Sequence, residues 1–200
     1  MSGQFGLLKK KRFAPFFLTQ FLGAFNDNLF KNALIVLLTF HTARWTNLSA
    51  GLLANLAAGI FILPFFLFSA TAGQLADKYD KAMLARLVKV LEMLIMGVAA
   101  VGFFLTSLPV LMAALFLLGL HSTLFGPVKY AILPQHLRPE EMVGGNAVIE
   151  AGTFVAILVG TLAGGLLAGS VEHPAWIALG GLLVAVAGYL DISRHGYPAA

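Results

Sequence analysis

Cysteine is absent from the 200 residues, which excludes disulfides and thiolate metal sites and leaves the redox compartment open. Charge is scarce as well. Asp, Glu, Lys and Arg make up 11% of the chain and hydrophobic residues 59%, with a mean hydropathy of +0.87. A soluble globule of this length needs far more polar side-chain surface, so water is not the main solvent. Catalytic signatures are also missing: there is no Gly-rich phosphate loop, no nucleophile elbow, no His-x-x-x-His, and no His followed five residues later by Asp. The expectation is a segment that is not an enzyme, with no catalytic residue, metal or cofactor.

What is present is apolar sequence in blocks of roughly twenty residues, the length a helix needs to cross a hydrocarbon slab about 30 Å thick. Hydrophobic windows and breakers place spans near 15–40, 50–72, 85–106, 109–130, 142–168 and 175–191, flanked by a basic segment 1–14 and a tail 192–200. Ser49, Pro109, Pro139 with Glu140 and Glu141, and Pro174 stand where helices should begin, since proline suits a first turn and carboxylates meet the positive end of the helix dipole. The predicted architecture is an all-α membrane protein of six transmembrane helices. Lys9-Lys10-Lys11-Arg12 before the first span imitates a secretory signal. The long run behind it, interrupted by Asn26, Asp27 and Lys31 and followed by no small-x-small site, reads as a retained span.

The net charge of +4 is split among short segments between apolar blocks, which fits loop topology and not nucleic acid. Lys9 to Arg12, then Lys78, Lys81, Arg86 and Lys89, then Arg138, then Arg194 fall on one side, and Arg44 alone on the other. That asymmetry predicts both termini in the cytoplasm and an even number of spans.

Polar residues inside spans are the functional candidates. Asn26-Asp27-Asn28 and Lys31-Asn32 lie in the middle of the first span, where an ionisable group costs at least a few kcal/mol and must face protein or water. Asp27 and Lys31, four apart with the acid first, are expected to pair on one face. They form either an ion pair tying this helix to its neighbours or the polar wall of a translocation cavity, and the cavity is the expectation adopted. Span four carries His121 and Ser122, with His121 counted among the cavity candidates and read as a hydrogen-bonded packing residue or a proton relay, then Gly126-Pro127-Val128-Lys129-Tyr130, where Gly-Pro should loosen the helix. From position alone Lys129 either snorkels to the interface or joins the cavity. Asn146 and Glu150 repeat the four-residue spacing in span five, with Glu150 either a bundle-interior hydrogen-bond partner or a cavity residue. Two features are read as structural: Pro64 as a kink in span two, and Gly152, Ala156, Gly160, Gly164 and Ala168 as a small-residue packing stripe in span five.

The segment Gly73-Gln74-Leu75-Ala76-Asp77-Lys78-Tyr79-Asp80-Lys81 resembles the loop signature between helices two and three of the major facilitator superfamily. Asp80 stands where a glycine is usual and Ala82 where a second base is usual. Phe25-Asn26-Asp27-Asn28, Phe125-Gly126-Pro127-Val128-Lys129-Tyr130-Ala131-Ile132-Leu133 and Asn146-Ala147-Val148-Ile149-Glu150-Ala151 together are similar to the lysophospholipid transporter family, especially the transporter portion of transporter, acyltransferase and acyl-ligase fusions. The resemblance implies the N-terminal half of a superfamily fold, with an inverted 3+3 repeat and a C-terminal half that these residues do not include. It also implies movement of lysophosphatidylethanolamine-like lipid across the bacterial inner membrane for re-acylation by a fused or associated enzyme. Asp27 and Lys129 are then the matching cavity residues, and Gly73, Asp77, Lys78 and Lys81 an inter-half latch. The competing functions are a proton-coupled exporter with Asp27 as its titrating acid and a non-transporting membrane platform for a fused acyl-transfer enzyme.

Overall fold

In the computed structural model, which describes residues 4–170 and 173–194 with the side chain of Arg194 excepted, the described residues form long helices joined by short turns and no strand. The helices are α1 (Ala14–Phe40), α2 (Ala50–Lys78), α3 (Lys81–Phe104), α4 (Leu108–His136), α5 (Met142–Ser170) and α6 (Ala175–Arg194). Residues 195–200 of the expected tail lie outside the described residues.

Helix starts follow local chemistry. Ser49 Oγ accepts from the amide of Leu52 at 3.4 Å, and Asp80 Oδ1 accepts from that of Met83 at 2.7 Å, each satisfying an orphan first-turn donor. Pro15 and Pro109 sit in the first turns of α1 and α4. The expected start of α5 at Pro139 is instead a separate 3-10 turn, Pro139–Glu141.

One expectation needs correction. The 73–81 segment is not a loop: α2 continues to Lys78, and only Tyr79 and Asp80 separate it from α3. The aspartate in the usual glycine position makes so short a connection workable by capping α3. Helix α4 runs through Gly126, Pro127 and Pro134 to His136.

Five of the helices, α2 to α6, are long and apolar enough to cross a membrane. The remaining helix, α1, has 27 residues, about 40 Å at 1.5 Å per residue, but its middle is polar. That polar stretch recurs in three dimensions. One apolar core cluster gathers Leu29, Phe30, Leu34 and Leu38 of α1 with Ile95, Phe103, Leu111, Leu118 and Ala178; a second gathers Phe13 and Phe16 with Ala82, Ala85, Val128, Leu133 and Ile149. Between them lie Thr19, Gln20, Asn26, Asp27, Asn28, Lys89, Glu92, His121 and Thr123, all buried. A polar layer therefore divides the core about halfway along the bundle.

Helix α1 packs chiefly on α5 and α6, α4 on α2 and α3, and α3 on α6. The small-residue stripe of α5 is buried and meets α1 backbone to backbone. A Cβ on Gly160 would come within 2.4 Å of the Phe25 carbonyl oxygen, and one on Gly164 within 2.3 Å of that of Leu29. Gly119 of α4 makes the corresponding approach to Phe61 of α2, where a Cβ would lie 2.1 Å from the carbonyl oxygen. Gly160→Val is accordingly expected to destabilise the fold by roughly 1–3 kcal/mol or more through overpacking. Gly165→Ala, where an added Cβ meets nothing within 4 Å, should be neutral. Thermal unfolding in detergent compares the two.

Candidate functional site

The polar layer opens on one flank into a groove of about 400 Å³. From α1 it is lined by Gln20, Gly23, Asp27, Asn28 and Lys31, from α4 by His121, Ser122, Phe125 and Lys129, from α2 by Phe61 and Phe65, and from α5 by Thr153 and Ile157. One wall is thus polar and the flanks apolar. Of the residues singled out from sequence, Asp27, Asn28, Lys31, His121 and Lys129 line this one space. Glu150 does not; it reaches the groove through Lys129.

Asp27 and Lys31 do not pair. Asp27 turns to α4, where Oδ2 accepts the hydroxyl hydrogen of Ser122 and Oδ1 lies 3.7 Å from His121 Nδ1. The ammonium of Lys31 turns to α2: it donates to Asn28 Oδ1 at 2.9 Å and stands 4.7 Å above the Phe61 ring. Helical spacing brings two side chains into reach, but partners on neighbouring helices decide where each points. Asn32 donates to the Asn28 carbonyl at 2.9 Å and to Thr161 at 3.0 Å, which anchors this turn of α1 to α5.

Asn146 and Glu150 also fail to meet. Asn146 donates to the Met142 carbonyl, whereas Glu150 Oε1 lies 3.0 Å from Lys129 Nζ and accepts the Tyr130 hydroxyl hydrogen. Lys129 therefore neither snorkels freely nor stands alone in the groove, since a carboxylate on α5 holds it.

Sequence reasoning misses the centre of the polar layer. Lys89, expected among the cytoplasmic bases, is buried two turns into α3, with its ammonium 2.7 Å from Glu92 Oε2. Both residues are at most 1% exposed. Asn26 donates to Glu92 Oε1 at 2.7 Å, and His121 Nε2 lies 3.5 Å from Oε2. Glu92 carries the same signal as Asp27, a carboxylate inside an apolar run, and Lys89 precedes it by three residues. Gln20, which accepts from Thr153 at 2.9 Å, and the Phe61 ring carry no comparable sequence signal.

At one end of the bundle, Lys10 and Arg12 pair with Glu141, and Arg12 also donates to the His136 carbonyl. The basic N-terminal segment thereby clamps the turn between α4 and α5. The motif residues lie apart from the groove. Asp77 and Lys78 are exposed, Lys81 Nζ donates to the Asp77 carbonyl at 3.4 Å, and a Cβ on Gly73 would meet nothing within 4 Å. No cluster of His, Asp or Glu suited to a metal ion occurs among the described residues.

Long apolar helices around a buried polar layer define a multi-pass membrane protein. The chain belongs to the Major Facilitator Superfamily, whose family model matches residues 16–198. It is similar to proteins named lysophospholipid transporter LplT: 30% identical over 150 residues to that of Escherichia coli (strain SE11), covering 74% of this chain and 34% of the relative. The LplT proteins of Citrobacter koseri and Salmonella heidelberg are each 32% identical over 149 residues, with the same coverage. The chain spans about a third of the length of these relatives.

Proposed function

We propose that this segment is the N-terminal six-span half of a transporter that carries lysophosphatidylethanolamine-like lipid across a bacterial inner membrane for re-acylation. The observation that carries this reading is Asp27, a carboxylate 7% exposed and midway along α1, which borders a groove large enough for a polar headgroup. A buried carboxylate in a membrane helix is costly unless it meets a partner or water, and a headgroup ammonium is a suitable partner. The aromatic flank of Phe61 and Phe65 gives an acyl chain an apolar surface, and the transport needs no covalent step.

The helix pairing supports an inverted repeat. Exchanging α1 with α4, α2 with α5 and α3 with α6 turns the α1–α5 contact into α4–α2 and the α3–α4 contact into α6–α1, and leaves α3–α6 unchanged. Close backbone approaches occur in both exchanged pairs, α1–α5 and α2–α4, with the glycine on α5 in the first and on α4 in the second. In this architecture α1 and α4 border the substrate site, with a second half across the groove. We place both termini in the cytoplasm; without the buried Lys89, the basic residues still favour that side. An acyltransferase, fused or associated, would consume the delivered lysolipid, and Gly73, Asp77, Lys78 and Lys81 would latch the two halves.

The test is flux. The intact protein in phosphatidylcholine vesicles should move labelled lysophosphatidylethanolamine faster than protein-free vesicles do, and equal rates would overturn the reading. One observation favours a proton-coupled exporter instead: His121 stands between Asp27 and Glu92, with Lys89 beside the latter. A neutral ring can donate to only one of the two carboxylates, an imidazolium to both. Absent lysolipid flux together with gradient-driven export of a small cation would select that reading.

A further inference from the structure

The geometry points to Lys31, not Lys129, as the residue that takes the phosphate, and to the split Asp27–Lys31 couple as a reader of zwitterionic headgroups carrying a primary ammonium. This rests on the lysophospholipid reading and assigns its headgroup contacts.

Three observations lead there. First, the Lys129 ammonium is already matched by Glu150, 3.0 Å away on α5. A phosphate arriving at Lys129 would meet the Glu150 charge as well, and like charges repel. Second, Lys31 makes its hydrogen bond and its ring contact with neutral groups, Asn28 Oδ1 and Phe61, and Asp27, the carboxylate that attracts it, stays beyond ion-pair distance. An ammonium has three donors, so donors remain for an anion in the groove that Lys31 lines. Third, Asp27 and Lys31 are one helical turn apart on α1, a rise of about 5.4 Å per turn, yet are held apart. Asp27 is drawn to Ser122 and His121 of α4, and Lys31 to Phe61 of α2. Asp27 lines the groove, and its Oδ1 has no hydrogen-bond partner, so the carboxylate keeps acceptor capacity that its contact to Ser122 does not use.

In this assignment a phosphoethanolamine group bridges the two: its phosphate accepts from Lys31, and its ammonium, two carbons away, donates to the Asp27 carboxylate. A single helix thus presents both charges that the headgroup requires, and the Lys129–Glu150 pair positions α4 against α5.

Direct binding to the intact protein in phosphatidylcholine nanodiscs tests the assignment. The probes are lysophosphatidylethanolamine, lysophosphatidylglycerol, which keeps the phosphate without the ammonium, and monoacylglycerol, which has neither. Lys31→Gln should weaken both phospholipid probes by about tenfold or more, the scale of a charge-assisted hydrogen bond. Monoacylglycerol binding should stay unchanged, which also reports that the variant is folded. Lys31→Arg should restore most of the loss, and Lys129→Gln should cost less than Lys31→Gln for both phospholipids. The assignment is overturned if Lys31→Gln binds as wild type while Lys129→Gln loses the phospholipids selectively. Wild-type protein that binds neither phospholipid more tightly than monoacylglycerol would overturn the lysophospholipid reading itself.

Discussion

Replacing Asp27 by Asn is expected to reduce lysophosphatidylethanolamine flux by about tenfold to a hundredfold, corresponding to the roughly 1.5–3 kcal/mol that a hydrogen bond to a charged group contributes. The amide is nearly isosteric and can keep a contact to Ser122, so the helix packing around position 27 should survive. What goes is the negative charge that offsets desolvation of the headgroup ammonium. In a site partly shielded from water that loss is larger than at a surface. Movement of a lysolipid lacking the ammonium should be far less affected, and the ratio of the two rates is the quantity to measure. Unchanged flux for both lipids would mean that the Asp27 charge does not read the headgroup and that the polar centre of α1 serves assembly alone.

The largest effect on stability is expected at Glu92. Its carboxylate accepts from Lys89 and Asn26 in a region of essentially no exposure. Glu92→Gln leaves the Lys89 ammonium buried without a counter-charge, and losing one member of a buried pair costs about 3–5 kcal/mol. Removing both charges is a different matter. Lys89→Met with Glu92→Leu needs no ion desolvated, and apolar replacement of a buried pair is often neutral or stabilising. Unfolding of the single and double variants in detergent should show a deep loss followed by recovery. Should Glu92→Gln prove as stable as wild type, the Glu92 charge is not what keeps Lys89 buried in the bundle. Gly188 of α6 packs against the same lysine, with a Cβ there 3.3 Å from Lys89 Nζ, so the recovery depends on methionine filling the lysine's volume.

Local sequence determined the all-helical membrane character. Apolar blocks long enough to cross a bilayer, broken by Ser49, by Asp80 and by prolines, leave the chain little choice but helix, because backbone groups in hydrocarbon must be satisfied within the segment. Asp27 was legible for the same reason, since a charge at the centre of an apolar run needs no neighbour to be conspicuous. The stripe from Gly152 to Ala168 was legible as a packing face, though not its partner α1.

Only the tertiary structure decided which charges meet. Spacing of four puts Asp27 near Lys31 and Asn146 near Glu150, yet Ser122 and Phe61 draw the first two apart, Lys129 and Tyr130 take Glu150, and Asn146 turns to the Met142 carbonyl of its own helix. A sequence records which residues share a helix face, but not which foreign donor or ring will stand opposite that face. Inside a bundle the foreign partner wins wherever it is closer and better shielded from water. Lys89 illustrates this in reverse: in the sequence it belongs with the cytoplasmic bases, and the fold turns it inward to Glu92, away from any water-facing surface.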